Sequence, residues 1–212
     1  MIEVYSFSTA VCTADLMAKT ADVEIIAFDR NRPIRTDVPA PLVMEVKICG
    51  SVSAVRSAID AGRQYAEGKG KYIVSHIIAR PDDQTEKMAY LLDINRDKFN
   101  KKLPKNLKDY PEDKITDIDV SFGLLEVQGL VAAIEGLDSM LKAANVSLVH
   151  TEKRLGGRLV TLIIKGGVSA VTAAVEAGNA NASVLGTVYG CEVIARPHSQ
   201  LGKFFDVVGE TK

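Results

Sequence analysis

The sequence predicts an α+β chain of two tandem β-α-β-β-α-β domains, each an antiparallel sheet with helices on one face. Three observations carry that prediction. The stretch GSVSAVRSAIDAG from Gly50 and the stretch GGVSAVTAAVEAG from Gly166 match at eight of thirteen positions, 116 residues apart. The repeat continues: IIARP at Ile77–Pro81 faces VIARP at Val193–Pro197 at that offset. Upstream, Asp15, Met17, Lys19, Ala21 and Val23 match Asp138, Met140, Lys142, Ala144 and Val146 at an offset of 123. An internal repeat constrains the architecture before any single element is read. Within each copy, short apolar runs alternate with stretches of helical periodicity.

The second copy is read first because its pattern is cleaner. FGLLEV (Phe122–Val127) is a short apolar run that reads as a strand. LVAAIEGLDSMLKAA (Leu130–Ala144) is Ala-rich and spaces Leu130, Ile134, Leu137 and Leu141 as one helical stripe. VSLVHTEK (Val146–Lys153) and RLVTLIIK (Arg158–Lys165) read as a hairpin turning at Gly156-Gly157. The next helix carries Val168, Val171, Ala174 and Val175 on one side. VYGCEVIARP (Val188–Pro197) is the last strand, and Pro197 marks its end because proline cannot donate to a central ladder.

The first copy repeats this order, with LVMEVKI (Leu42–Ile48) as its returning strand. The offsets differ by seven residues, which places a surplus in one loop of the first copy, DRNRPIRTDVPAP against KRLGGR. The domains are expected at residues 1–95 and 121–212. The charged stretch 96–120, with Pro104 and Pro111, is read as a linker. Before it, Asp83 with Glu86 three residues on suggests the cap of a short appended helix.

Composition narrows the function. The formal net charge is -1, from 26 basic and 27 acidic residues, so nothing draws the chain as a whole to nucleic acid or anionic membranes. Three widely spaced cysteines, Cys12, Cys49 and Cys191, argue against a disulfide framework and fit a reducing compartment. No basic-then-apolar leader and no long uncharged apolar run stands in the sequence, so the chain reads as soluble and cytoplasmic.

Chemistry-bearing motifs are scarce. Neither GxGxxG nor GxxxxGK[ST] occurs, and GKGK at Gly68–Lys71 sits where glycine caps a helix. The cysteines form no CxxC pair and read as inert thiols rather than ligands. His76, His150 and His198 have no paired spacing. No nucleophile elbow and no acid–base pair stands out. The absence of such motifs is only weak evidence against an enzyme, and the duplication is stronger evidence for a symmetric structural role.

GLLEVQGLVAAIEGLDSMLKAANVSLVHTEK, GGRLVTLIIKGGVSAVTAAVEAG and VIARPH together resemble a bacterial microcompartment (BMC) shell domain. The resemblance spans Gly123 to His198, and copy 1 keeps the helix, lysine and ARP landmarks. Two such domains in one chain resemble the tandem, BMC-T type of shell protein. That resemblance implies a ferredoxin-like BMC fold, a homotrimer that mimics a hexamer, and a place in the microcompartment shell in the bacterial cytoplasm. Other shell proteins would be its partners. It implies a central pore passing metabolites. The loops expected to line it carry a basic excess, Arg30, Arg32 and Arg35 against Asp29 and Asp37, and Lys153, Arg154 and Arg158 against Glu152. That excess would favour small anionic metabolites.

Residue by residue, Lys142 in SMLKAANV matches the family's tile-rim lysine, and Lys19 is its copy-1 counterpart. The plain alternative is a last-turn lysine that complements the helix dipole. Arg80 and Arg196 match the arginine of the RPH-type edge motif, although copy 1 has Asp82 where that motif has histidine. The hairpin loops match the pore lining. Copy 1 offers Arg30, Arg32, Arg35 and Asp37; copy 2 offers Lys153, Arg154, Gly156, Gly157 and Arg158. The alternative for both is a solvated hairpin tip. Some tandem members hold an iron–sulfur cluster through a loop cysteine, and neither loop here contains one, so the resemblance implies a shell protein that is not an enzyme and holds no cluster, metal or other cofactor. A competing function class is a trimeric small-molecule-binding regulator with ligands at subunit interfaces, since fold alone does not give function.

Overall fold

The computed structural model of the protein describes residues 1–33, 35–82, 85, 120–152, 156 and 158–205. The expected linker at 96–120 (apart from Val120) and the capping pair Asp83 and Glu86 lie outside them. The chain divides by its contacts into two compact units. One comprises Met1–Tyr5 and Thr9–Ile115; the other comprises Ser6–Ser8 and Thr116–Lys212.

The first unit contains β1 (Ile2–Tyr5), most of α1 (Phe7–Thr20), β2 (Val23–Asn31), β3 (Val43–Gly50), α2 (Val52–Gly68) and β4 (Tyr72–Ser75). Its strands pair antiparallel in the order β2-β3-β1-β4. The second contains β5 (Ser121–Gln128), α3 (Leu130–Ala143), β6 (Val146–Glu152), β7 (Leu159–Gly166), α4 (Val168–Leu185) and β8 (Val188–Ile194), then a 3-10 turn at Ser199–Lys203. Its order is β6-β7-β5-β8. The two sheets therefore share one topology, the one the repeat predicts. Irregularities repeat too. Register shifts fall between Ile25 and Ala27 and between Leu148 and His150, and again at Glu3/Val4 and Glu126/Val127. A bulge recurring at matched positions is a built feature of a fold.

Local chemistry explains the element ends. Ser51 caps α2 by accepting from the Ala54 amide at 3.3 Å. At the other end Gly70 takes φ +66°. Its amide reaches the Glu67 carbonyl while Lys71 reaches that of Ala66, the paired bonds of a Schellman stop. GKGK is thus a helix terminator.

The sheets differ in how many faces are dry. Along β3, Met44, Val46 and Ile48 are buried while Glu45, Lys47 and Cys49 are half-buried, the alternation of a one-faced strand. In the second unit, Leu125, Val127, Val160, Leu162 and Ile164 pack on α3 and α4. The opposite face, with Phe122, Leu124, Glu126, Thr161 and Ile163, is buried as well. There Phe205 stacks edge-on to Phe7 at 6.2 Å and to Phe122 at 6.4 Å.

The Leu130, Ile134, Leu137, Leu141 stripe that the spacing shows lies mostly outside: Leu130, Ile134 and Leu141 are exposed, Leu137 is partly buried against the core, and α3 buries Ala132, Ala133, Gly136 and Met140. Val168 is likewise exposed, while Val171, Ala174 and Val175 are buried. The reason is close helix approach. A Cβ on Gly178 would stand 2.5 Å from Met140 Cγ and 3.1 Å from the Gly136 carbonyl; one on Gly136 would stand 2.8 Å from Leu125 Cδ2. Small residues must face inward, and the large apolar ones are left outside. The first unit repeats the contact, with Gly62 2.9 Å from Met17 Cγ by the same measure.

Gly178→Ala is therefore expected to destabilise by about 1–3 kcal/mol through overpacking, read as a lower urea midpoint. Gly68→Ala, with no atom within 4 Å of the added carbon, is expected to be neutral or stabilising. Equal midpoints for the two variants would remove the packing argument.

Candidate functional site

Both rim candidates sit in the last turn of their helix, Lys19 in α1 and Lys142 in α3. Each ammonium is bonded to an aspartate one turn back, Lys19 to Asp15 at 2.5 Å and Lys142 to Asp138 at 2.6 Å. The Asp138 carboxylate raises the Lys142 pKa by its hydrogen bond and its charge. The repeated Asp-x-Met-x-Lys pattern thus has two physical meanings. Met17 and Met140 pack on the glycine of the partner helix, and the Asp–Lys pair closes the exposed end. Arg80 and Arg196 are exposed in the segments following β4 and β8, and make no ion pair among the described residues. Next to Arg196, His198 caps the 3-10 turn, its Nδ1 accepting from the Gln200 amide at 3.4 Å. Asp82 takes that place in the first unit and its carbonyl accepts from Thr85.

The copy-1 loop is less uniformly charged at its surface than its composition suggests. Arg30 is the last residue but one of β2, opposite Met44, and Arg32 follows the strand. Both are exposed and make no ion pair among the described residues. Arg35 instead forks onto Asp37, its Nε at 2.8 Å from Oδ1 and its Nη2 on Oδ2. That contact raises the Arg35 pKa and holds the Asp37 carboxyl below the ordinary aspartate value. Asp29, the other acid of the stretch, is buried and bonded to Lys47 at 2.5 Å. The exposed excess of this loop is therefore Arg30 and Arg32. The loop is anchored on its return side by Ala40 and Leu42, both buried, while Arg32, Arg35, Thr36, Asp37 and Pro39 are exposed. In the copy-2 loop, Lys153, Arg154 and Gly157 lie outside the described residues. Gly156 takes φ +91° and Arg158 φ +61°. The Gly156 carbonyl accepts from Leu159, and that of Arg158 from Gly129. A positive φ at a non-glycine residue needs such support.

Sequence reasoning missed one site. Glu126, in the middle of the apolar run FGLLEV, is fully buried. Its Oε2 accepts from Ser6 Oγ at 2.6 Å, Ser8 N at 2.9 Å and Ser8 Oγ at 2.9 Å, and its Oε1 from Phe7 N at 3.1 Å. A buried carboxylate is tolerated only with such a set of donors. Ser6 holds φ +80°, a region glycine would occupy more easily; its hydroxyl is the reason for serine there. Gly190, opposite Glu126 across β5 and β8, is required too, because a Cβ there would lie 1.8 Å from Ser8 Oγ. The signal in the sequence was a lone acid inside an apolar strand.

Among the described residues no group of three or more His, Cys, Asp or Glu could hold a metal ion, and no helix is long and apolar enough to cross a membrane. Cys12 is buried, Cys49 and Cys191 are half-buried, and none of the three is in a disulfide.

Comparison with known proteins points one way. The BMC domain family matches residues 1–81 and again residues 121–197. The carboxysome assembly protein CcmO of Synechococcus elongatus is 32% identical over 197 residues, covering 92% of this chain. This chain spans 64% of the length of that relative. The bacterial microcompartment shell protein PduA of Citrobacter freundii is 49% identical over 83 residues, which is 39% of this chain and 88% of PduA. EutM of Escherichia coli K12, also a bacterial microcompartment shell protein, is 44% identical over 87 residues, 41% of this chain and 89% of EutM.

The Arg35–Asp37 contact can be tested directly. Arg35→Gln is expected to move the Asp37 carboxyl titration upward toward the ordinary aspartate value, followed by carboxyl-carbon NMR. An unmoved midpoint would show that Arg35 does not neutralise Asp37, and the loop's surface charge would have to be recounted.

Proposed function

We propose that this chain, which belongs to the BMC domain family and carries the domain twice in tandem, is a structural tile of a bacterial microcompartment shell in the bacterial cytoplasm. The observation that carries the reading is the double match over residues 1–81 and 121–197, with one strand order in both copies. A tile with two domains per chain needs three chains to make six wedges, so the assembly is a homotrimer with the outline of a hexamer. Duplication lets alternate wedges diverge, and the longer β2–β3 loop of the first copy is such a divergence. The role is non-enzymatic, which the names of PduA and EutM as shell proteins support.

In the tile, Lys19, Lys142, Arg80 and Arg196 lie at the rim, where neighbouring shell proteins are met. The hairpin loops surround the central opening. Arg30 and Arg32, exposed and repeated three times about one axis, would give that opening a basic lining. A basic constriction with low-dielectric walls concentrates small anions. Pro33, Pro39 and Pro41 stiffen the loop that carries these arginines.

Mass photometry is expected to give three times the 22.9 kDa of the chain. A stable monomer at all concentrations would remove the tile reading. Lys19→Ala and Lys142→Ala are expected to leave that trimer intact and to weaken its growth into sheets under the electron microscope. Sheets from the double variant equal to wild type would reduce both lysines to helix-end residues. Conductance through single tiles is expected to favour anions, and Arg30→Glu with Arg32→Glu to reverse the preference. Cation selectivity in the wild type would overturn the pore assignment.

A further inference from the structure

Sheet rows at matched positions in the two copies differ in charge. In the second unit the row across β5, β7 and β6 is Glu126, Thr161 and Glu152. In the first unit the matching row across β1, β3 and β2 is Glu3, Glu45 and Asp29. The flanking positions keep their acids. The first copy adds a third at the centre, where the second has a neutral hydroxyl. Two residues along β3, Lys47 stands where the second copy has the buried Ile163. Three carboxylates and one ammonium thus share one sheet face of the first unit.

The ammonium does not serve them equally. Lys47 Nζ is 2.5 Å from Asp29 Oδ2 and 3.8 Å from Glu45 Oε2. Asp29 is buried, and a buried carboxylate has more to lose without a cation than a half-exposed one. Glu45 keeps the longer contact and accepts no hydrogen bond among the described residues. The groups that face it are Lys47 on its own strand, Asp29 from β2, and Glu3 with the Met1 amino group from the β1 side. Burial holds the Glu45 carboxyl above its ordinary value. Lys47 draws it down, Asp29 and Glu3 push it up, and the Met1 amino group draws it down.

This row stands at the root of the first hairpin loop. Two ladder pairs, Arg30 with Met44 and Asn31 with Val43, separate it from the loop. Like charges directly opposite each other across paired strands push the strands apart. We propose that Glu45 is a proton-operated clamp on the root of the β2–β3 hairpin. With Glu45 charged, the two ladder pairs beyond it open more readily; a proton on Glu45 closes them. The closed hairpin binds that proton more tightly than the open one, so the closed form gains as pH falls through the raised value. It gains no more below the ordinary glutamate range, about 4.3. The loop clamped in this way begins at Arg32 and carries Arg35 and Asp37. The second hairpin, with Thr161 at the centre of its row, lacks the central acid and with it this response. The inference goes beyond the tile reading and does not require it.

The test is hydrogen exchange of the full chain, wild type against Glu45→Gln at matched pH, read on residues 29–31 and 43–45. The variant keeps the shape of the side chain and removes its charge. At about pH 8 it is expected to exchange about two- to fivefold more slowly there, the weight of one like-charged cross-strand pair. Toward about pH 4.5 the two proteins are expected to converge. Equal exchange at both pH values, or a gap that stays the same as pH falls, would overturn the clamp. Carboxyl-carbon NMR of the wild type gives a second reading. Glu45 is expected to titrate above the ordinary glutamate value, and Asp29→Asn to move it down by removing the charge opposite and releasing Lys47. A Glu45 midpoint at or below the ordinary value, or one that Asp29→Asn leaves unmoved, would overturn the clamp even if Glu45→Gln failed to fold. Neither reading depends on how many chains assemble, so their failure leaves the tile reading standing.

Discussion

A carboxylate removed from water must find its donors inside the protein, and Glu126 finds four of them in three consecutive residues, Ser6 to Ser8. Much of the local sequence follows from that requirement. Ser6 accepts a backbone region better suited to glycine. Ser8 contributes both its amide and its hydroxyl. Gly190 stays bare because any side chain would strike that hydroxyl. Two of the donors, Phe7 N and Ser8 N, are first-turn amides that a helix leaves without partners of its own. Removing one partner from such a group leaves the other buried and unmet, which makes the arrangement intolerant of change at any of its members.

Beneath this contact lies a second constraint, the close approach of the two helices on each sheet. Gly62 against Met17 and Gly178 against Met140 are the same contact twice. It forces small residues inward and leaves α3 with Leu130, Val131 and Ile134 outside. The result is a helix that exposes large apolar residues while burying its alanines.

The architecture was legible because periodicity and repetition are both sequence properties. Two offsets, 116 and 123, aligned the copies and located the loop that sets them apart. The strand order and even the matched bulges followed the same alignment. The inward face of α3 was not legible. Spacing alone places Leu130, Ile134 and Leu141 on one stripe and cannot say that helix–helix distance, set by Gly136 and Gly178, turns it outward. Glu126 was not legible either, because its donors lie some 120 residues away in sequence. The candidate loop was half legible. Its arginines could be counted, but the burial of Asp29 with Lys47 and the pairing of Arg35 with Asp37 are facts of geometry.

The account stands or falls on whether two copies of one domain in one chain build half of nothing alone and a third of a ring together. Single-particle electron microscopy of the purified chain tests this most directly. The account predicts flat particles with a threefold axis, six similar lobes and a central opening bordered by the hairpin loops. Two-lobed particles without that axis, or rings with another number of chains, would contradict it.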